Sequence, residues 1–208
     1  FFVSCESVEE ITDKWQKLSE GGTVRMGLDK YPFAERYGWT TDKFGVEWQL
    51  ILQPKKQKIV PAFLFTNENF GRGKEAVDFY LSLFPNSKLE AMSFQQDGKA
   101  VLHAAFEIAG QGFVLMEGPG VHGASQNGAT SIVVGCDTQA EIDKFWSELS
   151  ADGGSTSQCG WLSDKFGTPW QIVPNKMGEW MKEPERAKRV MSAMFKMTKL
   201  DIEILKNA

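Results

Sequence analysis

The sequence predicts an α+β fold built from tandem β-α-β-β-β units that form cupped, antiparallel-rich mixed sheets. The first observation is a repeat. Residues 38–51 read Gly-Trp-Thr-Thr-Asp-Lys-Phe-Gly-Val-Glu-Trp-Gln-Leu-Ile, and residues 160–173 read Gly-Trp-Leu-Ser-Asp-Lys-Phe-Gly-Thr-Pro-Trp-Gln-Ile-Val. Upstream, Val3-Ser4-Cys5 matches Val134-Gly135-Cys136, and Ile11, Trp15 and Leu18 match Ile142, Trp146 and Leu149. Self-similarity of this kind marks duplicated structural units. The second observation is that each copy runs from an apolar strand through a capping signal into a helical stripe. The third is that a related unit, with three alternating segments after its helix, lies between the copies.

The second copy is the cleaner one. Thr130-Ser131-Ile132-Val133-Val134 is a β-branched run and predicts a strand. Thr138-Gln139-Ala140-Glu141 has capping-box form, and Ile142, Phe145, Trp146 and Leu149 follow at the i, i+3, i+4, i+7 spacing of an amphipathic helix. Gly153-Gly154 ends it. Strands near 156–162 and 168–174, turning at Asp164-Lys165-Phe166-Gly167, complete β-α-β-β. The first copy repeats this order with Ser7-Val8-Glu9-Glu10 as its cap, and carries a longer excursion between Gly21-Gly22 and Gly38.

In the middle unit, Ile59–Thr66 reads as a strand, and Ala76, Val77, Tyr80, Leu83 and Phe84 place one stripe on a helix near 73–84. Three strands near 88–96, 99–109 and 112–117 follow, joined by Asp97-Gly98 and Gly110-Gln111-Gly112 turns. Residues 118–129 form a Gly-rich loop. Pro184 opens a last helix with Ala187, Val190, Met191, Met194 and Phe195 on one face. The expected division is therefore 1–52 as the second half of an incomplete N-terminal domain, 53–58 as linker, 59–174 as a complete domain of two units, and 175–208 as a helical tail. A β-α-β-β fragment leaves an open edge, which leads to the expectation of an upstream unit lost, swapped or unobserved.

Composition narrows the function. The formal charge of −4 and the lack of a Lys/Arg cluster argue against a nucleic-acid surface. No apolar stretch approaches the roughly 20 residues of a membrane helix. Cys5, Cys136 and Cys159 fit neither a disulfide framework nor a zinc spacing, which favours buried thiols and a reducing, cytoplasmic compartment.

Beyond its fold pattern, the chain resembles the vicinal oxygen chelate superfamily of glyoxalases, bleomycin-resistance proteins and dioxygenases. More narrowly, it resembles the PhnB-like family, often labelled 3-demethylubiquinone-9 3-methyltransferase. The resemblance rests on Ala76-Val77-Asp78-Phe79-Tyr80, on Cys159-Gly160-Trp161-Leu162, and on Asp164-Lys165-Phe166-Gly167 with Trp170-Gln171. In the tail it rests on Arg189-Val190-Met191, Met194, Met197 and Lys199-Leu200-Asp201-Ile202. It implies a cupped face on which superfamily enzymes hold a divalent metal with His and Glu from opening and closing strands. Carried over by position, the opening strands offer no His in Ile59–Phe63 and Thr130 or Ser131 in the second unit. The closing strands offer Leu115 or Met116, with Glu117 nearby, and Gln171. A neutral amide is a poor divalent ligand beside a carboxylate, so no metal and no cofactor are expected.

The reading is a metal-free protein binding a small molecule, with Trp161, Phe166 and Trp170 as walls and Gln171, Cys159, Glu117 and His103 as polar points. The alternative is an enzyme using Cys159 or Glu117. Methyl transfer is disfavoured because Gly71-Arg72-Gly73 lacks a third glycine and a parallel βαβ setting. A homodimer is expected from the open strand edge and the apolar tail stripe.

Overall fold

Residues 1–96, 98–118 and 128–208 are described by a computed structural model of the chain; Asp97 and residues 119–127, on which most of the expected Gly-rich loop and His122 fall, lie outside the described residues. Two compact units divide the chain, Phe1–His122 and Gly123–Ala208. The architecture is α+β with mixed sheets, as the strand-helix-strand order dictates.

In the first unit, β1 (Phe2–Cys5), α1 (Val8–Ser19), β2 (Thr23–Tyr31), β3 (Ala34–Thr41) and β4 (Glu47–Leu52) form a sheet ordered β2-β3-β4-β1-β5, where β5 is Ile59–Val60. β1 runs parallel to β4, and the other pairings are antiparallel. Ser7 caps α1 by accepting from Glu10 N, while the Glu10 carboxylate reaches past the cap to Glu6 N. Val3, Cys5, Ile11 and Leu50 form the core between sheet and helix.

This first copy is a complete β-α-β-β-β unit, not the β-α-β-β expected. The excursion after Gly22 is the long β2 strand, turning at Pro32-Phe33 into β3. It escaped notice because β2 is an edge strand whose residues are mostly exposed, so no apolar face marks it, and because the second copy has only two strand residues there.

The middle set comprises β6 (Ala62–Phe65), α2 (Gly73–Leu83), β7 (Lys88–Phe94), β8 (Val101–Ile108) and β9 (Gln111–Glu117), ordered β6-β9-β8-β7. Phe63, Phe65, Phe106, Phe113 and Leu115 turn toward α2, where Tyr80 packs near Phe63. Alternation leaves His103, Ala105 and Glu107 on the other face of β8. The expected strand 59–66 is split in two. Pro61 has no N–H to give a ladder, so β5 pairs with β1 and β6 with β9, while the Pro61 carbonyl accepts from Val114 N.

In the second unit, β10 (Ile132–Cys136), α3 (Gln139–Leu149), β11 (Ser155–Thr156), β12 (Trp161–Ser163) and β13 (Pro169–Pro174) form a sheet ordered β10-β13-β12-β11. β10 lies parallel to β13, as β1 does to β4. The capping box at Thr138 and Glu141 closes in both directions. The tail adds α4 (Met177–Trp180), α5 (Pro184–Met194) and α6 (Ile202–Lys206) around Trp180, Val190, Leu200 and Leu205. It is fastened to α3 by the Gln139 amide, which accepts from Ile202 N and donates to Leu200 O, and by the Lys199–Asp143 ion pair at 2.5 Å.

The three cysteines are free, with Cys5 and Cys136 buried. Burial first, then nearby acidic side chains, raises both thiols, that of Cys136 to about 11.

Candidate functional site

The turn between β12 and β13 explains the repeated Asp-Lys-Phe-Gly-x-x-Trp string. Asp164 is nearly inaccessible; its Oδ1 accepts from Phe166 N (2.9 Å) and Thr168 N (3.0 Å), and its Oδ2 accepts from Trp170 Nε1 (2.9 Å). This carboxylate clamp fixes the start of β13 and hence its register. Trp170 and Ile172 are wholly buried, whereas Gln171 points to the opposite face and is half-buried.

On that face Gln171 Nε2 donates to Ser131 Oγ at 2.8 Å. Trp161 lies directly across β12–β13 from Gln171. Beside them a depression of about 270 Å³ is lined by Ser155, Ser157, Trp161, Ser163, Gly167 and Pro169, together with Gly128 and Leu162. That volume is just below the usual range of ligand sites, about 300–1,000 Å³, and the lining sets one aromatic wall among serines and glycines.

The remaining expected site residues fall elsewhere. Phe166 is 1% exposed and does not line the depression, although its neighbour Gly167 does. Cys159 stands in a left-handed turn (φ 62°) and directs Sγ at Met194 O (3.7 Å), while its N–H donates to Met197 O. It therefore ties the tail to the sheet. Glu117 closes β9 on the helix side: Oε1 accepts from Gly71 N (2.6 Å) and Gly73 N (3.0 Å), and Oε2 from Val101 N (2.5 Å). A charged group held by three backbone amides at the start of α2 is an anchor for that helix. His103 lies on the opposite face of the same sheet, its ring edge-on to Phe2 at 6.0 Å.

The residues present do not fit a divalent metal. Ser131 and Gln171 are neutral and bonded to each other, Leu115 is buried toward α2, and Glu117 is consumed by backbone amides. Among the described residues no group of three His, Cys, Asp or Glu converges. The serines at 155, 157 and 163 are site features that the sequence reading missed. Their alternation with Thr156 and Leu162 was the available signal, hidden because β11 is only two residues long.

The fold and family follow from comparison with known proteins. A PhnB protein from Bacillus cereus, described as a 3-demethylubiquinone-9 3-methyltransferase by assignment only, is 30% identical over 57% of this chain and 99% of its own, with a TM-score of 0.52. Glyoxalase I from Zea mays is 15% identical, covering 85% of this chain and 66% of its own with a TM-score of 0.60, which shows the fold alone. No curated protein matches. The family described as 3-demethylubiquinone-9 3-methyltransferase matches residues 1–51 and 57–173. With most of its length matched, the chain belongs to that PhnB-like family of the glyoxalase-type, vicinal oxygen chelate fold.

Proposed function

We propose that the chain is a metal-free small-molecule binding protein whose site is the Gln171–Trp161 face of the β10-β13-β12-β11 sheet. The observation that carries this reading is the amide–hydroxyl pair Gln171–Ser131 at the positions where the resemblance leads one to expect metal ligands. A neutral pair there offers hydrogen bonds to a ligand but little to a divalent cation. The serine-rich depression beside Trp161 supports a ligand with one apolar ring face and several polar substituents.

The enzyme reading, through Cys159 or Glu117, finds less support, because one thiol faces the tail carbonyls and the one carboxylate is occupied by three amides. The family's methyltransferase description carries no activity to this chain by itself. The Gly71 and Gly73 amides that a phosphate or nucleotide would need are already bonded to Glu117.

The division into 1–52, 53–58, 59–174 and 175–208 is part of the same proposal. It is supported by the family match breaking between 51 and 57, although the compact units part at 122/123. A homodimer is supported by exposed Met191 and Phe195 on the tail, and a reducing cytoplasmic setting by three free thiols. No helix is long and apolar enough to cross a membrane among the described residues.

Native mass spectrometry of the purified protein tests the reading. The expected result is a copurified organic mass and a dimer. Gln171→Leu should retain the fold by circular dichroism and weaken that ligand by about 1–3 kcal/mol, the cost of an unpaired buried partner. About one zinc, nickel, manganese or iron per chain would overturn it.

A further inference from the structure

Each copy of the repeat opens with a strand laid parallel to its closing strand, and the outer edges of these two strands differ. In the first copy β5 pairs antiparallel with β1, Phe2 opposite Val60 and Val3 opposite Ile59, and the Ser4 N–H donates outward to Lys58 O at 2.8 Å. In the second, β10 ends its sheet: one side pairs with β13, and no described strand pairs with the other. Burial follows the pairing. Val3 is 2% exposed, whereas its counterpart Val134 is half-buried and Val133 is 59% exposed.

Hydrogen-bond alternation identifies the groups on the open edge. Cys136 O accepts from Asn175 N, as Cys5 O accepts from Gln53 N, so the even-numbered residues of β10 turn their backbone groups toward β13. Val133 and Gly135 correspond to Phe2 and Ser4 and direct theirs away from the sheet.

An unpaired edge is a template for another strand, and proteins usually blunt it with charge, proline or a bulge. Other edges of this molecule are blunted in that way. β2 carries Arg25, Asp29 and Lys30 with three shifts of register, and β7 carries Lys88 and Glu90 with two. β11, at the far side of the β10 sheet, is two residues long. By contrast, β10 reads Ile-Val-Val-Gly-Cys, uncharged, β-branched at its first three positions and regular in register.

We infer that the outer edge of β10 pairs antiparallel with β10 of a second copy, joining the two sheets across a twofold axis. A strand meeting itself in this way is self-complementary, closes the assembly at two chains and sets no like charges against each other. The β1–β5 pair is the precedent within the chain for an opening strand that takes an antiparallel partner on this edge. The inference rests on the homodimer proposed above and not on its ligand, and it places the interface on β10 instead of the tail.

Sedimentation velocity and hydrogen exchange test it on the whole chain. Wild type should sediment as a dimer, and amide protection in residues 130–136 should rise with protein concentration while that in 23–31 does not. Val133→Lys puts a charge on each side of the twofold, on a side chain already mostly exposed, and should raise the dimer dissociation constant about tenfold or more. Val133→Pro deletes an outward N–H and none given to β13, and should act in the same direction. Val24→Lys, on the charged β2 edge, should leave the dimer unchanged; circular dichroism checks the fold of each variant. If Val133→Pro fails to fold, Val133→Lys and the exchange data still decide. A dimer that survives Val133→Lys overturns the inference; if it then dissociates in Phe195→Asp, the homodimer stands through the tail. A wild-type monomer at micromolar concentration overturns inference and homodimer together and leaves the ligand-binding reading untouched.

Discussion

Residues 38–51 and 160–173 share one turn and differ in what surrounds it. In both, an aspartate clamps the turn in the same way: Asp42 accepts from Phe44 N, Val46 N and Trp48 Nε1, as Asp164 does from Phe166 N, Thr168 N and Trp170 Nε1. Yet Phe44 is 80% exposed where Phe166 is 1% exposed, and Gln49 pairs with a phenol where Gln171 pairs with a serine. The shared residues build the strand turn. The divergent ones, Tyr37 against Cys159 and the partners of the two glutamines, carry what each face can bind. Duplication kept the scaffold and freed the face.

The comparison is tested most severely at the clamp. Asp164→Ala strands a buried indole N–H and two buried amides, and should cost about 3 kcal/mol or more in urea unfolding followed by tryptophan fluorescence. Asp42→Ala, in a more exposed turn, should cost about 1 kcal/mol. Equal losses would mean that burial does not separate the two copies.

The motif glycines come next, because they are required for different reasons. Gly160 has φ +82°, and a Cβ there would lie 2.6 Å from Ile172 O; at Gly38 a Cβ would meet the Trp15 ring at 2.5 Å. Gly160→Ala should cost about 2 kcal/mol or more through backbone strain and a rigid carbonyl contact. Gly38→Ala opposes a side chain, so Trp15→Leu should recover part of its loss. Recovery at 38 but not at 160, read in the same unfolding assay, sharpens the distinction; no recovery at either breaks it.

The smallest effect is in pH. Burial opposes the charge on Asp42, but the Trp48 indole and the Val46, Phe44 and Gly45 amides outweigh it and hold the carboxyl below its ordinary 3.8. A carboxyl depressed in the folded state stabilises above its unfolded pKa, and the contribution disappears as pH falls through the folded value. Asp42→Asn should therefore flatten the part of the acid-unfolding curve below about pH 4, and a curve identical to wild type would remove Asp42 from the acid response.

Much of the fold was legible because duplication doubles every signal. The α3 stripe, the capping box at Thr138 and the β8–β9 alternation all appear where apolar spacing puts them. What stayed hidden had no period to read. β2 is an exposed edge strand, and Pro61 breaks a continuous apolar run without changing its hydropathy. The candidate site was legible at Gln171 and Trp161, where strand alternation dictates the face. Glu117 and Cys159 looked like pocket groups because residue type reveals nothing of partners: one is consumed by the amides at the start of α2, and the other is turned aside by a left-handed backbone.

The break at Pro61 also bears on how residues 1–122 come apart. Because Ile59–Val60 belongs to one sheet and Ala62–Phe65 to the other, a single short stretch works as a stitch through two fabrics. Slack introduced there, by even one extra residue, would release the register of both ladders together, whereas the same residue added at Pro32-Phe33 would loosen only a hairpin tip. Coupling between the two sheets of this half of the molecule thus runs in part through the seven residues from Ile59 to Phe65.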